Sequence, residues 1–137
     1  MQCVNVGIVG LGNVGSGALT ILAETADQIA LKLGFRLRVK AVCDKIIETK
    51  KLPPQLGDVL RTADWRELVN HPEVQIVGEL VGGTTVALEI IEGAIAAGKS
   101  VVTANKELLA QRGADIWERA IAAGVNLAME ASVCGGI

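Results

Sequence analysis

Four side chains able to do chemistry stand where apolar runs end: Asp44, Glu79, Lys106 and Glu130. A carboxylate so placed can accept hydrogen bonds from sugar hydroxyls or hold a hard cation. An ammonium so placed can bind a carbonyl or hydroxyl oxygen and stabilise negative charge developing there, or move a proton if its pKa is lowered. The chain also carries Gly7-Ile8-Val9-Gly10-Leu11-Gly12-Asn13-Val14-Gly15-Ser16-Gly17, between the strand-like run Val4–Val9 and a helix-like run from Val14. In that setting the glycines form a dinucleotide-binding fingerprint. Gly10 allows the tight turn, Gly12 lets the backbone approach a pyrophosphate, and Gly15 lets the helix pack closely on the sheet with its N–H groups facing the phosphates.

Each candidate has a bland reading beside the functional one. Asp44 closes the second strand, where an acid accepts from an adenosine ribose and favours NAD. It lies 29 residues beyond Gly15, against a usual spacing of about 20, and the long first helix accounts for the excess. Lys45 is either a solvated loop charge or a cation for a 2′-phosphate, so NADP stays open. Glu79 ends a buried strand, where an unpaired carboxylate is costly; it is either paired structurally or faces the cleft. Gly82-Gly83 permits close backbone approach to a ligand, and Thr84 or Thr85 can cap the next helix. Lys106 opens a helix, a position the helix dipole disfavours for a cation. That conflict favours a functional lysine beside the nicotinamide end. Glu130 followed by the small-residue loop Ala131–Gly136 can supply oxygens to a hard cation.

The elements that must position these groups follow from periodicity. Strands are read at Val4–Val9, Leu37–Cys43, Val74–Leu80, near Val101–Thr103 and at Val125–Met129. One long helix is read over Val14–Leu33, with apolar positions Leu19, Leu22, Ala23, Ala26, Ile29, Ala30 and Leu33 at helical spacing and Gly34 as its stop. Lys45–Leu60 contains Pro53-Pro54 and reads as loop, and Thr62–Leu68 as a short helix with Asp64 as N-cap. An Ala-rich helix end, a Gly stop and a new strand occur twice, at Gly98 and Gly124, 26 residues apart. Two successive α/β units explain this without a sequence repeat. Such alternation implies a Rossmann-type α/β fold, a doubly wound parallel sheet of order 3-2-1-4-5 with the ligand at the carboxyl ends of the strands, beside the switch between strands one and four.

Composition sets the outer bounds. The chain has 137 residues, a suitable length for one domain, and half are hydrophobic although only Phe35, Trp65 and Trp117 are aromatic. Its core must be Val, Ile, Leu and Ala, the composition of parallel strands under helices. A net charge of −2 without a basic run argues against a nucleic-acid surface. No window of 18 apolar residues spans a membrane, and no basic region precedes the first apolar run as in a signal peptide. Cys3, Cys43 and Cys134 lack metal-ligand spacing and fit a reducing, cytoplasmic compartment. Cys3 and Cys43 are expected as buried small hydrophobes, and His71, beside Pro72 at a turn, as a residue without a chemical role. The chain stops after Ile137 without cap, linker or polar tail, and reads as a fragment.

Taken together the segments Gly7–Gly17, Glu79–Gly83, Val101–Ala110 (VVTANKELLA) and Glu130–Ile137 (EASVCGGI) resemble homoserine dehydrogenases, in their N-terminal nucleotide-binding domain. The resemblance implies NAD(P)-dependent interconversion of aspartate semialdehyde and homoserine, in threonine, methionine and isoleucine biosynthesis. It implies that Leu11, Gly12, Asn13 and Val14 touch the cofactor, with Asp44 or Lys45 near the adenosine ribose. Thr84 and Lys106 would lie near the nicotinamide, with Lys106 supporting catalysis. It further implies a sodium-type monovalent cation held by Glu130, Val133, Gly135 and Ile137, mostly through backbone carbonyls. In this family the substrate-binding and dimerising domain follows the point where the chain ends. The expectation is that residues 1–137 bind nucleotide without turning over substrate, and that apolar surface near Val133 and Ile137 leaves the chain open to self-association. The alternatives are a Rossmann-like nucleotide-sensing module, which needs neither the lysine after strand four nor the Glu-led glycine loop, and another two-domain oxidoreductase.

Overall fold

The computed structural model describes residues 2–129. Six strands form one parallel sheet: β1 (Cys3–Val9), β2 (Arg36–Cys43), β3 (Leu60–Thr62), β4 (Ile76–Glu79), β5 (Ser100–Thr103) and β6 (Leu127–Met129). Their spatial order is β3-β2-β1-β4-β5-β6. The expected 3-2-1-4-5 order is therefore present, with a sixth strand beyond β5. Leu60–Thr62, at the edge of a segment read as loop, takes the third place, so the strands read as third, fourth and fifth are β4, β5 and β6. Three residues are too few to show a period of two. What makes β3 a strand is its pairing with Ala41–Cys43.

The helices divide between the two faces, as right-handed crossovers require. α1 (Asn13–Glu24) and α2 (Ala26–Leu33) precede β2. Leu11 and Leu19 pack there with Val6, Ile8, Val39 and Val42, and Leu52, Leu56 and Val59 of the β2–β3 connection close over the same cluster. α3 (Trp65–Val69), α4 (Thr85–Ala96) and α5 (Lys106–Ala123) bury Leu68, Ile90, Ile91, Leu108 and Ile116 with Val9, Val77 and Val101 in the other cluster. An extra residue in β2, between the partners of Val6 and Gly7, bulges the central ladder. That is why Val39 and Val42, three apart, share one face.

The helix read over Val14–Leu33 is two helices. Thr25 leaves the helix at φ −117° and ψ 23°. Both its N–H (2.9 Å) and its hydroxyl (2.5 Å) donate to the Ile21 carbonyl, and a hydroxyl bonding back to the turn below competes with helix continuation. Beyond the break Ile29 and Ala30 are buried, while Leu33, read as part of the stripe, is exposed. Gly34 ends α2 at φ 81°, as expected. Cys43 is buried, but Cys3, at the start of β1, is exposed rather than buried. Among the described residues no helix is long and apolar enough to cross a membrane.

Candidate functional site

All the candidate residues that the structure describes lie along the carboxyl edge of the sheet. At its centre the Gly-rich loop is held from both sides. Gly10 has φ +97°, and a Cβ there would meet the Leu80 carbonyl carbon and oxygen at 2.8 Å. At Gly15 a Cβ would lie 1.7 Å from the Gly10 carbonyl oxygen, so α1 reaches the loop only because no side chain intervenes. Gly12, by contrast, faces open space, with nothing within 4 Å of a Cβ built on it. It caps α1, whose first turn has no side-chain cap and no acidic residue. The first N–H groups of that helix have no intrahelical partners, which suits an anion.

Asp44 follows β2 and is tied to this loop. Its Oδ2 accepts from the Leu11 N–H at 2.8 Å and its Oδ1 from the Ile46 N–H at 3.0 Å. Partial burial pushes the carboxyl upward, but the Ile46 and Leu11 N–H groups and the Lys50 charge together outweigh it and hold the pKa below the ordinary 3.8. The ionised carboxylate thus braces the loop and keeps lone pairs free for further donors. A folded-state pKa below the unfolded one adds stability that is present above the ordinary carboxylate value and lost as pH falls through the folded one. Asp44→Asn is therefore expected to flatten the fall of unfolding free energy below about pH 4, in denaturant titrations across the acid range. An unchanged slope would remove Asp44 from that role.

Asp44 and the exposed Lys45 line a cleft of about 660 Å³ with Gly10, Gly12, Val81 and Gly82. Its outer wall was not singled out in the sequence: Trp65 and Arg66, the guanidinium 4.5 Å above the indole centroid. The indole edge fits against Gly93 of α4, where a Cβ would meet it at 2.8 Å. The pairing could not be read because Gly93 is remote in sequence and in no recognised motif. Asp64 caps α3 as expected, accepting from the Arg66 N–H at 3.0 Å. Cys43 also lines this cleft. Burial, then the charges of Asp44, Asp64 and Glu67, push its thiol up to about 11, so it stays neutral and weakly nucleophilic.

A second cleft of about 310 Å³ lies beyond β4 and β5, lined by Val14, Glu79, Val81–Gly83 and Ala104–Glu107. Glu79 is fully buried and paired. Its Oε1 accepts from the Thr103 hydroxyl at 2.6 Å and its Oε2 from the Val81 N–H at 2.8 Å. Burial raises its pKa, and these two donors only partly counter it. Of the two readings of Glu79 the structural pairing holds: both oxygens are bonded and the side chain is fully buried, although the residue borders the cleft. Asn105 caps α5 by accepting from the Leu108 N–H at 3.0 Å. Lys106, the first residue of α5, is exposed at the cleft and makes no ion pair or side-chain hydrogen bond among the described residues. Thr84 takes the N-cap position of α4, but neither it nor Thr85 makes the expected side-chain cap bond. The His71 ring nitrogen accepts from the Glu73 N–H at 3.1 Å, a turn contact.

The structure thus brings Gly10, Leu11, Gly12, Asn13, Val14, Gly15, Asp44, Lys45, Thr84 and Lys106 to one edge. Glu130, Val133, Gly135 and Ile137, the cation ligands implied by resemblance, lie outside the described residues. The donor set fits a dinucleotide: an open glycine at a bare helix start, an ionised acid after β2, and an ammonium across the switch point that is unpaired among the described residues.

Comparison with known proteins agrees with this geometry. A family model described as "Homoserine dehydrogenase, NAD binding domain" matches residues 10–130. The chain is 42% identical to the homoserine dehydrogenase of Neisseria gonorrhoeae over 138 aligned positions, covering all of this chain and 31% of that protein. It is 41% identical to that of Pseudomonas aeruginosa, with the same coverage. The crystal structure of a homoserine dehydrogenase from Thiobacillus denitrificans superposes with a TM-score of 0.86 at 39% identity, over 96% of this chain and 30% of that one. The chain therefore spans just under a third of the length of the relatives it matches.

Proposed function

The chain belongs to the homoserine dehydrogenase family, as its NAD-binding domain, and from that premise we propose how its residues serve the interconversion of aspartate semialdehyde and homoserine. The observation that carries the reading is the alignment of Gly12, Asp44 and Lys106 on one edge of the sheet, with Gly82-Gly83 between the last two. The N–H groups at Gly12, Asn13 and Val14 receive the pyrophosphate, and Gly10 and Gly15 keep the loop and helix close enough to do so. Leu11 fixes the loop through Asp44, which accepts from the adenosine ribose. Lys45 stands where a 2′-phosphate would lie, so NAD and NADP both fit. Thr84 borders the nicotinamide end. A bound nicotinamide supplies or takes the hydride. Lys106 holds the substrate oxygen and stabilises the negative charge that grows on it as the carbonyl becomes an alkoxide. The other contacts to the substrate come from residues outside this domain.

The same reading puts a sodium ion on Glu130, Val133, Gly135 and Ile137, and the chain in the cytoplasm, self-associating and without a nucleic-acid partner. Calorimetric titration with NAD+ and NADP+, in sodium and then in potassium buffer, tests it. Saturable binding of at least one dinucleotide is expected, with a heat that depends on the cation. Binding of neither would sink the assignment.

A further inference from the structure

Glu79 is the one carboxyl among the buried polar groups of the described residues, and the cofactor reading above assigns it no ligand. Burying a carboxyl carries a desolvation penalty that an apolar residue of the same size would not. What the carboxyl adds is a fork of two acceptors. One arm takes the N–H of Val81, the first residue of the loop Val81-Gly82-Gly83. The other takes the hydroxyl of Thr103, its direct neighbour across the β4–β5 ladder. The Thr103 oxygen in turn accepts from the Asn105 N–H at 3.0 Å. The Asn105 side-chain amide donates to the Gly83 carbonyl, while its Oδ1 caps α5. The bonds close a ring: Val81, Glu79, Thr103, Asn105, Gly83 and back along the loop.

That ring joins the two walls of the cleft beside Lys106. On one wall, Gly82 and Gly83 have no side chains to anchor them, and a Cβ on either would touch nothing within 4 Å. Hydrogen bonds must therefore fix that loop. On the other wall, Asn105 sets where α5 begins and so where Lys106 stands. We propose that Glu79, acting through Thr103 and Asn105, is a positioning residue that sets the spacing between the Gly82-Gly83 backbone and Lys106. Its effect falls chiefly on the nicotinamide half of the dinucleotide, where Gly82-Gly83 and Lys106 face one cleft; the adenosine half meets only the Val81-Gly82 end of the loop. The proposal rests on the cofactor reading above.

The test compares Thr103→Val, which keeps the shape and loses the hydroxyl, with Thr103→Ser, which keeps the hydroxyl. Asn105→Asp, which retains the helix cap but sets a charged acceptor against the Gly83 carbonyl in place of the donor, is a second break in the ring. Binding of NAD+ and of ADP-ribose is measured for each, with amide hydrogen exchange on the unliganded chain. Thr103→Val and Asn105→Asp are expected to weaken NAD+ by about tenfold and ADP-ribose by less than about twofold, with Thr103→Ser near the parent. Exchange should quicken at Val81–Gly83 and Asn105–Leu108 together, with the rest of the sheet unchanged. Equal losses for both ligands, or exchange that quickens on one wall only, would overturn the proposal. If the unsubstituted chain bound neither ligand, the cofactor reading would fail instead, and exchange alone would decide whether the ring couples the walls.

Discussion

Gly15→Ala is expected to destabilise the fold by about 3 kcal/mol, the upper end for overpacking, although alanine is the better helix former. Two effects oppose each other. Within a helix the exchange gains about 1 kcal/mol of propensity. Against that, the new Cβ would stand 1.7 Å from the Gly10 carbonyl oxygen and 2.8 Å from its carbon. Both are backbone atoms, and Gly10 has little room to retreat, because a Cβ-sized step on its own far side would already lie 2.8 Å from the Leu80 carbonyl. Relief requires α1 to lift from the sheet, which opens the packing of Leu11 and Leu19 against Val6, Ile8 and Val42. A domain of this size has a total stability of about 5–15 kcal/mol, so much of it would go. Urea unfolding monitored by the tryptophans measures this. A change smaller than about 0.5 kcal/mol would mean that the helix does not need the close approach.

Gly12→Val should do the reverse, leaving the fold in place and removing the ligand. The backbone at Gly12, φ −72° and ψ −156°, is open to any L-residue, and no atom lies within 4 Å of the added Cβ. The stability cost is the poorer helix cap, about 1 kcal/mol or less. The isopropyl group would, however, occupy the space in which the backbone meets the pyrophosphate. NAD+ affinity should fall at least about 100-fold, a loss of roughly 2.7 kcal/mol, by calorimetry on protein whose unfolding midpoint is nearly unchanged. Full affinity in this variant would show that the dinucleotide does not lie over Gly12. The two glycines, three residues apart, thus separate what the loop does for the fold from what it does for the ligand.

The contrast also shows what can be read from residue order. Strand, glycine loop and helix are contiguous, so their joint meaning is visible in one stretch. The strand ends that carry Asp44, Glu79 and Lys106 are likewise marked by apolar runs stopping at a polar residue. The Asp64 cap is legible because a cap acts within two residues. Features that depend on remote partners are not. β3 is a strand because Ala41–Cys43 lie beside it. Trp65 stands in the cleft wall because Gly93, 28 residues on, makes room for its ring. Glu79 could be weighed as paired or free, but Thr103 as its partner needs the β4–β5 register. The break at Thr25 is local, but Thr20 makes the same back-bond within α1 without a break, so residue type alone does not mark it. The exposure of Cys3 follows from its place at the very start of β1, which composition does not weigh.

The switch point has a consequence for the order of folding. β1 sits between β2 and β4, and its ladder to β4 begins with Val6 against Ile76, 70 residues away. The ladder is four residues long, yet among the described strands it is the one strand pairing between the β1–β2–β3 side of the sheet and the β4–β5–β6 side. The Gly-rich loop and Asp44 arrive with the first side; Glu79, the paired glycines and Lys106 arrive with the second. The crevice is therefore absent from either half alone and appears only when this distant, entropically slow closure is complete. A dinucleotide can fasten the finished seam by mass action, but it has no complete surface to template earlier.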